Sequence, residues 1–126
     1  MTVTYPRIGG VSQDLPDGWG EKCREFCKLF PGKVDEYERL LTKNRIWLRR
    51  TKDVGVLTKE DVYEWGVSGP MGRGSGVEYD VRRVLPYADY DEYDFIVPLG
   101  EKGDTYDRYL VRMQEMLQSN RILRQA

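Results

Sequence analysis

Histidine is absent from this 126-residue sequence, and cysteine is rare, with only two residues. Without histidine the chain lacks the side chain that most often serves as a general base or a metal ligand. Two thiols are half of the four ligands that a structural zinc site or an iron–sulfur cluster usually needs. We therefore predict that the chain binds no metal and supplies no catalytic residue of its own.

Neither sign of charge is in excess, because 20 basic residues face 21 acidic ones. Proteins that bind nucleic acid normally carry a clear basic excess, so we expect no nucleic-acid partner. No apolar run approaches the ~18 residues that would span a bilayer. The first residues also lack the basic and apolar regions of a signal peptide. An apolar fraction of 40% supports the modest core of one domain.

The two cysteines, Cys23 and Cys27, are four residues apart, which places them on one face of a helix beside Phe26 and Phe30. Two interpretations remain open. The thiols pack as small apolar side chains, or they form a redox pair.

Four segments follow one another along the chain. They are an extended entry segment at 1–16, a helical arm at 17–52, a glycine-rich loop and strand region at 53–103, and a last helix at 104–126. In the arm, Asp17 and Gly18 precede a first helix, which Pro31–Gly32 should break or kink. A second helix is predicted over roughly 33–50, and its end is basic.

Local signals predict the elements of the second half. Thr58 and Asp61 form a capping box for a short helix that Gly66 stops. A loop is expected over 66–76 and a strand over 93–97. A helix is predicted to begin at Gly103–Asp104, and Asp107 is placed to hydrogen-bond back to the N-cap residue. Its predicted apolar stripe is Tyr109, Leu110, Met113, Met116, Leu117 and Leu123. The fold class is therefore α+β, dominated by long packed helices, with a small strand or hairpin element.

Two stretches resemble motifs of nucleotide-binding or catalytic sites, but the sequence around them does not support either function. The string GRGSG at 72–76 follows no strand and contains no lysine before a serine or threonine, as a phosphate-binding loop requires. The carboxylates at 89–94 lie among tyrosines in a connection, with no sign of the cleft that glycoside hydrolysis needs.

Four stretches, in order, resemble one family. They are RIGGV at 7–11 with QDLP at 13–16, DEYE at 35–38 with NRI at 44–46, RGSGV at 73–77 with YDVR at 79–82 and PY at 86–87, and GDTYDRYLVR at 103–112 with EM at 115–116 and QS at 118–119. Together they are similar to the hydrogenase-like large subunit, of the D type, of respiratory NADH:quinone oxidoreductase (complex I).

The resemblance implies a place in the quinone-reducing module, where electrons pass from an iron–sulfur cluster of a partner subunit to quinone. The whole complex uses NADH, FMN, iron–sulfur clusters and quinone, but this chain is expected to bind none of them and to be inactive alone. The family's quinone-site histidine and tyrosine belong upstream of this chain. The implied location is the cytoplasmic side of the cell membrane.

The resemblance also implies partners, above all the small iron–sulfur subunit. The candidates to face that interface or its cluster are Arg73, Ser75, Asp80 and Arg82. A second interpretation is that these residues only hold the glycine-rich loop in place. The alternative function is a structural or assembly module of a hydrogenase-related membrane complex.

The last helix has no stop signal before Ala126, so we expect a fragment of a longer subunit. Such a piece would leave apolar surface uncovered and could self-associate.

Overall fold

The structure is a computed structural model that describes residues 5–126. Its elements are β1 (Pro6–Arg7), β2 (Gly10–Val11), α1 (Trp19–Tyr37), a π-helical turn (Glu38–Thr42), α2 (Arg45–Thr51), α3 (Lys59–Glu64), α4 (Gly69–Gly74), α5 (Val81–Val84) and α6 (Thr105–Leu123). The predicted fold class is confirmed, since helices dominate and the strands form one small hairpin.

The hairpin is the structured part of the predicted entry segment. Its two strands are antiparallel, with Pro6 opposite Val11 and Arg7 opposite Gly10. All four of these residues are exposed. The beginning of the predicted segment, residues 1–4, lies outside the described residues.

Helix α6 is the centre of the fold. It packs against α1 on one side and α4 on another, and α2 also touches it. The buried apolar side chains come from α1, α3, α6 and the segments between helices. They are Cys27, Val34, Val62, Val77, Phe95, Val111, Met113 and Ile122.

Of the break or kink predicted at Pro31–Gly32, the break is wrong, because α1 runs through both residues without interruption. Proline has no N–H, so it leaves the carbonyl four residues earlier, that of Cys27, without its helical hydrogen bond. The side-chain amide of Asn120 on α6 donates to that carbonyl at 3.1 Å. A contact from a distant helix therefore replaces the missing bond, and α1 continues.

The second helix, predicted over 33–50, is also corrected. Residues 33–37 belong to α1, the π-helical turn follows, and the chain turns at Lys43–Asn44 before α2 begins. The Asn44 side chain caps α2 by accepting from the N–H groups of Ile46 (2.9 Å) and Trp47 (3.2 Å). Asparagine is a strong N-cap residue, which explains a new start at this position.

The capping box at Thr58 and Asp61 is confirmed. The Thr58 hydroxyl accepts from the Asp61 N–H, and the Asp61 carboxylate accepts from the Thr58 N–H. Gly66 ends this region with a φ of +61°, as a helix stop requires. The loop predicted over 66–76 is wrong in part, because 69–74 form α4.

The strand predicted over 93–97 is wrong, since the segment pairs with no other strand in the described part of the chain. Side chains of α6 and of the residues just after it take the place of a partner strand. The Asp94 N–H donates to Gln125 at 2.8 Å, and the Ile96 N–H donates to Gln118 at 3.1 Å.

Helix α6 opens where it was predicted, with Asp104 as its N-cap. The Asp104 carboxylate accepts from the Asp107 N–H at 2.7 Å. Asp107 itself accepts from the N–H groups of Glu101 and Lys102, each at 2.7 Å, rather than from the N-cap residue.

The predicted stripe of α6 is correct only in part. Of its members Met113 is buried, whereas Leu123 is 45% exposed. Val111 and Ile122 are buried instead, because α6 packs against neighbours on more than one side and no single stripe covers them.

Candidate functional site

Three of the four candidate residues come together at one wall of a cleft. Arg73 extends from α4, while Asp80 and Arg82 belong to the start of α5. The Arg73 and Asp80 side chains approach to 4.0 Å, and Arg82 binds Asp80 directly. The fourth candidate, Ser75, lies apart from this cluster.

Arg73 is the most enclosed cation of the group, with 9% of its side chain exposed. Its guanidinium donates to the Glu115 carboxylate through Nε at 2.7 Å, and Nη2 lies 2.6 Å from the same oxygen. A third contact runs from Nη1 to the backbone carbonyl of Tyr79 at 3.0 Å. One side chain thus joins α4, α6 and the connection before α5, which uses the planar fork that distinguishes arginine from lysine.

Asp80 holds α5 and Arg82 at the same time. Its carboxylate accepts from the Arg82 backbone N–H at 3.0 Å, which caps the helix. It also receives Arg82 Nε at 3.0 Å and Nη2 at 2.6 Å. These hydrogen bonds from Arg82 lower the pKa of Asp80, against a raising effect of burial and with a smaller contribution from Arg73. The same contact raises the pKa of Arg82, so both groups stay charged.

The Phe95 ring packs against the guanidinium groups of the two neighbouring arginines, Arg82 and Arg83. The guanidinium of Arg82 lies 4.9 Å from the Phe95 ring centroid, and that of Arg83 lies 4.1 Å from it. Arg83 also donates to the Phe95 carbonyl. Phe95 is 2% exposed, so two cation–π contacts fix the guanidinium groups against a buried ring.

The cluster of Arg73, Asp80, Arg82 and Glu115, here called the ion network, forms one wall of an open cleft of about 890 Å³. The rest of the lining comes from the end of α3, the connection to α4, the segment after α5, and α6. The lining side chains from these regions include Tyr63, Val67, Tyr87 and Ser119. The cleft therefore combines fixed charges with aromatic and apolar surface.

Ser75 performs a different task. It is 3% exposed, and its hydroxyl donates to the Leu57 carbonyl at 2.7 Å. The adjoining backbone is tightly packed, since a Cβ on Gly103 would collide with the same Leu57 oxygen. Ser75 thus ties the glycine-rich segment to the connection before α3 and does not line the cleft.

Glu115 was missed by the sequence reasoning, although it is the main partner of Arg73. The only signal was its place in the EM pair that resembles the last helix of the family. Its contact with Arg73 puts the carboxylate on the side of α6 that meets α4, and predicting that contact requires knowing how α4 packs on α6.

Within residues 5–126 no three cysteine, aspartate or glutamate side chains are grouped so that they could hold a metal ion. Cys27 is buried and Cys23 partly so, and both are free thiols. Burial, and then the neighbouring Cys23, raise the pKa of Cys27, so its thiol is protonated at neutral pH and is a poor nucleophile.

No helix in the described part of the chain is both long and apolar enough to cross a bilayer. Arginine–carboxylate pairs, which several elements hold in place, form one wall of the cleft. The cleft therefore presents a fixed charged surface.

Comparison with known proteins gives a consistent result. The family model described as "Respiratory-chain NADH dehydrogenase, 49 Kd subunit" matches residues 1–126. A C/D-type subunit of the NADH-quinone oxidoreductase of Aquifex aeolicus (strain VF5), the second of two, is 59% identical over the whole chain, which covers 22% of that relative.

Two D-type subunits of NADH-quinone oxidoreductase are also similar to the whole chain. That of Methylacidiphilum infernorum (isolate V4) is 56% identical, with 30% of its length covered. That of Magnetococcus marinus is 51% identical, with 32% covered. The chain thus spans between about a fifth and a third of the length of these relatives.

Proposed function

The chain belongs to the family of the 49-kDa subunit of respiratory-chain NADH dehydrogenase, and from that membership we propose that it works in the quinone-reducing module of a membrane-associated NADH:quinone oxidoreductase. In this module electrons would pass from an iron–sulfur cluster of a partner subunit to quinone. The observation that carries the proposal is the match of the whole chain to relatives named as NADH-quinone oxidoreductase subunits.

Within that module the chain acts as scaffold and subunit interface. The redox chemistry belongs to NADH, FMN, iron–sulfur clusters and quinone bound elsewhere in the complex, and the protein contributes positioning and electrostatics. A sequence without histidine, and with only two cysteines, is suited to this division of roles.

The ion network is the part of the chain that we assign to the interface with the small iron–sulfur subunit. Its members are fixed before any partner arrives, because Arg73 is bound by Glu115 and Tyr79 while Asp80 is bound by Arg82. A preorganised charged wall loses little side-chain entropy when a partner binds. Arg82, with 23% of its side chain exposed, is the member with the greatest access to the cleft.

Ser75 supports the same surface from inside. It holds the segment between Arg73 and Asp80 against Leu57, whose own N–H donates to the Gly103 carbonyl just before α6. Its hydroxyl is enclosed, so its role is positional.

The location that goes with this function is the peripheral arm of the complex on the cytoplasmic side of the cell membrane. The alternative is a structural or assembly module of a hydrogenase-related membrane complex, in which quinone is not reduced.

Affinity purification of the tagged protein from membranes separates the two. The proposed function predicts that the sample contains an iron–sulfur subunit and that it oxidises NADH with quinone. A membrane complex that contains the protein, but reduces no quinone with NADH, would favour the alternative.

A further inference from the structure

An exposed cluster of positive charge lies far from the ion network in the sequence. Residues 39–52 contain six basic side chains and no acidic one. The six, here called the cationic face, are Arg39, Lys43, Arg45, Arg49, Arg50 and Lys52. The remaining 14 basic residues of the chain are outnumbered by all 21 acidic ones, so charge is strongly segregated in a molecule of net charge −1.

Every member of the cationic face is exposed, and within residues 5–126 none of them makes an ion pair or a side-chain hydrogen bond. Five of the other 14 cations bind a carboxylate, namely Lys33, Arg73, Arg82, Lys102 and Arg121. The cationic face differs from the rest of the chain because its six exposed cations lie within 14 residues that contain no acidic side chain.

Local helix electrostatics favour most of the cluster. Three members lie at the C-terminal end of α2, and Arg39 and Lys43 lie in the last turn and at the C-cap of the π-helical turn, where positive charge is also favourable. Arg45 is the exception, because it occupies the first position of α2. Arg45 and Arg49 are also like charges four residues apart, which destabilises a helix. An external anion beside these two arginines would relieve that repulsion.

The packing of α2 turns these charges outward together. Trp47 and Thr51 face inward, where the Trp47 ring meets the Tyr109 ring edge-on at 5.4 Å and Thr51 is 4% exposed. Arg45 and Arg49 are neighbours on the exposed surface of the helix. Ile46, which is 67% exposed, lies next to them.

From this arrangement we infer that the cationic face binds a carboxylate-rich surface of another protein subunit. Four of its six members are arginines, whose planar fork suits bidentate pairing with carboxylates. Arginine beside an exposed apolar residue such as Ile46 is typical of the composition of protein interfaces. The inference rests on the proposed function, because it requires that the chain be assembled with other subunits.

A lipid surface fits the same face less well. Helices that lie on membranes direct tryptophan, phenylalanine or leucine toward the acyl chains. α2 has seven residues, and its tryptophan points into the protein, so Ile46 is the only apolar side chain of α2 that is well exposed. Nucleic acid fits less well again, because the acidic excess over the rest of the chain repels a long polyanion.

Zero-length carbodiimide coupling of the tagged complex tests the inference, because this reagent joins an amine to a carboxylate only when the two are in contact. Lys43 and Lys52 bracket α2, and both are exposed in the chain alone. The expected result is a peptide in which either lysine is joined to an aspartate or glutamate of a co-purified subunit. The triple variant R45E/R49E/R50E should lose this product, whereas the matched α1 variant K22E/R24E/K28E should keep it.

The other outcomes contradict the inference in different ways. If other subunits are recovered but Lys43 and Lys52 couple to nothing and acetylate freely, the face is simply solvated. If both lysines resist acetylation until detergent removes the lipid, the face binds membrane. If the tagged protein is recovered without any other subunit, the proposed function fails and the inference fails with it. Circular dichroism of both triple variants establishes that they are folded.

Discussion

The Asn120 side chain of α6 donates a hydrogen bond to the Cys27 carbonyl of α1, which is the carbonyl that Pro31 leaves without a helical partner. Asn120 is 5% exposed, so the bond is made away from water. The contact therefore does two things at once: it lets α1 pass through a proline, and it fixes the crossing of α1 and α6.

Removing this amide should destabilise the fold. Asn120→Ala leaves the Cys27 carbonyl buried and unsatisfied, which costs about 1–3 kcal/mol. Pro31→Ala restores a backbone N–H that can reach the same carbonyl. In the Pro31→Ala background the cost of Asn120→Ala should therefore be smaller, as measured by urea unfolding of the four proteins in the cycle. Equal costs in both backgrounds would show that Asn120 and Pro31 are not linked.

Asp104 should control stability at acidic pH. It is fully buried, and its carboxylate accepts from the N–H groups of Asp107 and Asp53, each at 2.7 Å. Burial raises the pKa of Asp104, but backbone hydrogen bonds outweigh that effect and bring it below the usual value. Stability from Asp104 is therefore complete above the ordinary aspartate pKa of about 3.9, and it is lost as the pH falls through the lower folded-state pKa.

Asp104→Asn tests this dependence. One side of the amide can still accept, but the other presents a donor to the Asp53 N–H, so we expect a loss of about 1–2 kcal/mol at neutral pH. The loss should shrink as the pH falls below the range of ordinary aspartate titration. The exposed Asp91→Asn serves as the control. Parallel pH profiles for the wild type and Asp104→Asn would contradict the assignment.

The pair of Arg73 and Glu115 should matter more to stability than a surface pair. Glu115→Gln removes the charge that faces an arginine side chain only 9% exposed, and breaking a buried pair costs about 3 kcal/mol or more. The matched control is Glu36→Gln, which breaks the exposed pair with Lys33 and should cost at most about 1 kcal/mol. Similar unfolding midpoints for the two variants would mean that the ion network is as loose as a surface contact.

The cysteine pair should act through packing. Replacing Cys23 and Cys27 by alanine removes one buried and one partly buried sulfur, so the free energy of unfolding should fall while NADH:quinone activity of the complex stays unchanged. Thiol titration under mild oxidation is the companion measurement. A disulfide that alters assembly of the complex would establish the redox interpretation instead.

The isolated chain should self-associate. Its accessible surface is 9633 Å², whereas a compact monomer of 14.8 kDa exposes about 7,000 Å². Part of the excess is an apolar groove between α1 and α6, lined by Phe26, Phe30, Tyr109 and Met116 among others. Light scattering should show concentration-dependent oligomers. A strictly monomeric chain with full amide protection through residues 117–124 would show that the groove needs no cover.

Much of the fold could be predicted because the signals were local. The capping box at Thr58 and Asp61 and the N-cap at Asp104 each depend on residues at most a few positions apart. The errors had distant causes. Asn120 supplies the hydrogen bond that Pro31 cannot make within α1. Gln118 and Gln125 accept the backbone hydrogen bonds that a partner strand would otherwise accept from residues 93–97. No pattern within a short window contains that information.

The candidate site was likewise predicted only in part from the sequence. The family resemblance named Arg73, Asp80 and Arg82, and the structure brings them together. It did not separate Ser75, which turns inward to Leu57, and it did not single out Glu115, whose pairing with Arg73 depends on how α4 packs on α6.

The most direct test of the account compares two electron acceptors in the intact complex carrying Arg73→Ala. The first acceptor is quinone, and the second is a soluble dye that takes electrons before they reach the quinone-reducing module. We predict that NADH oxidation with quinone falls strongly while oxidation with the dye is retained, and that Arg121→Ala, at an exposed ion pair with Asp94, changes neither rate. Unchanged quinone reduction in folded, assembled Arg73→Ala complex would contradict a role for the ion network in the quinone-reducing module.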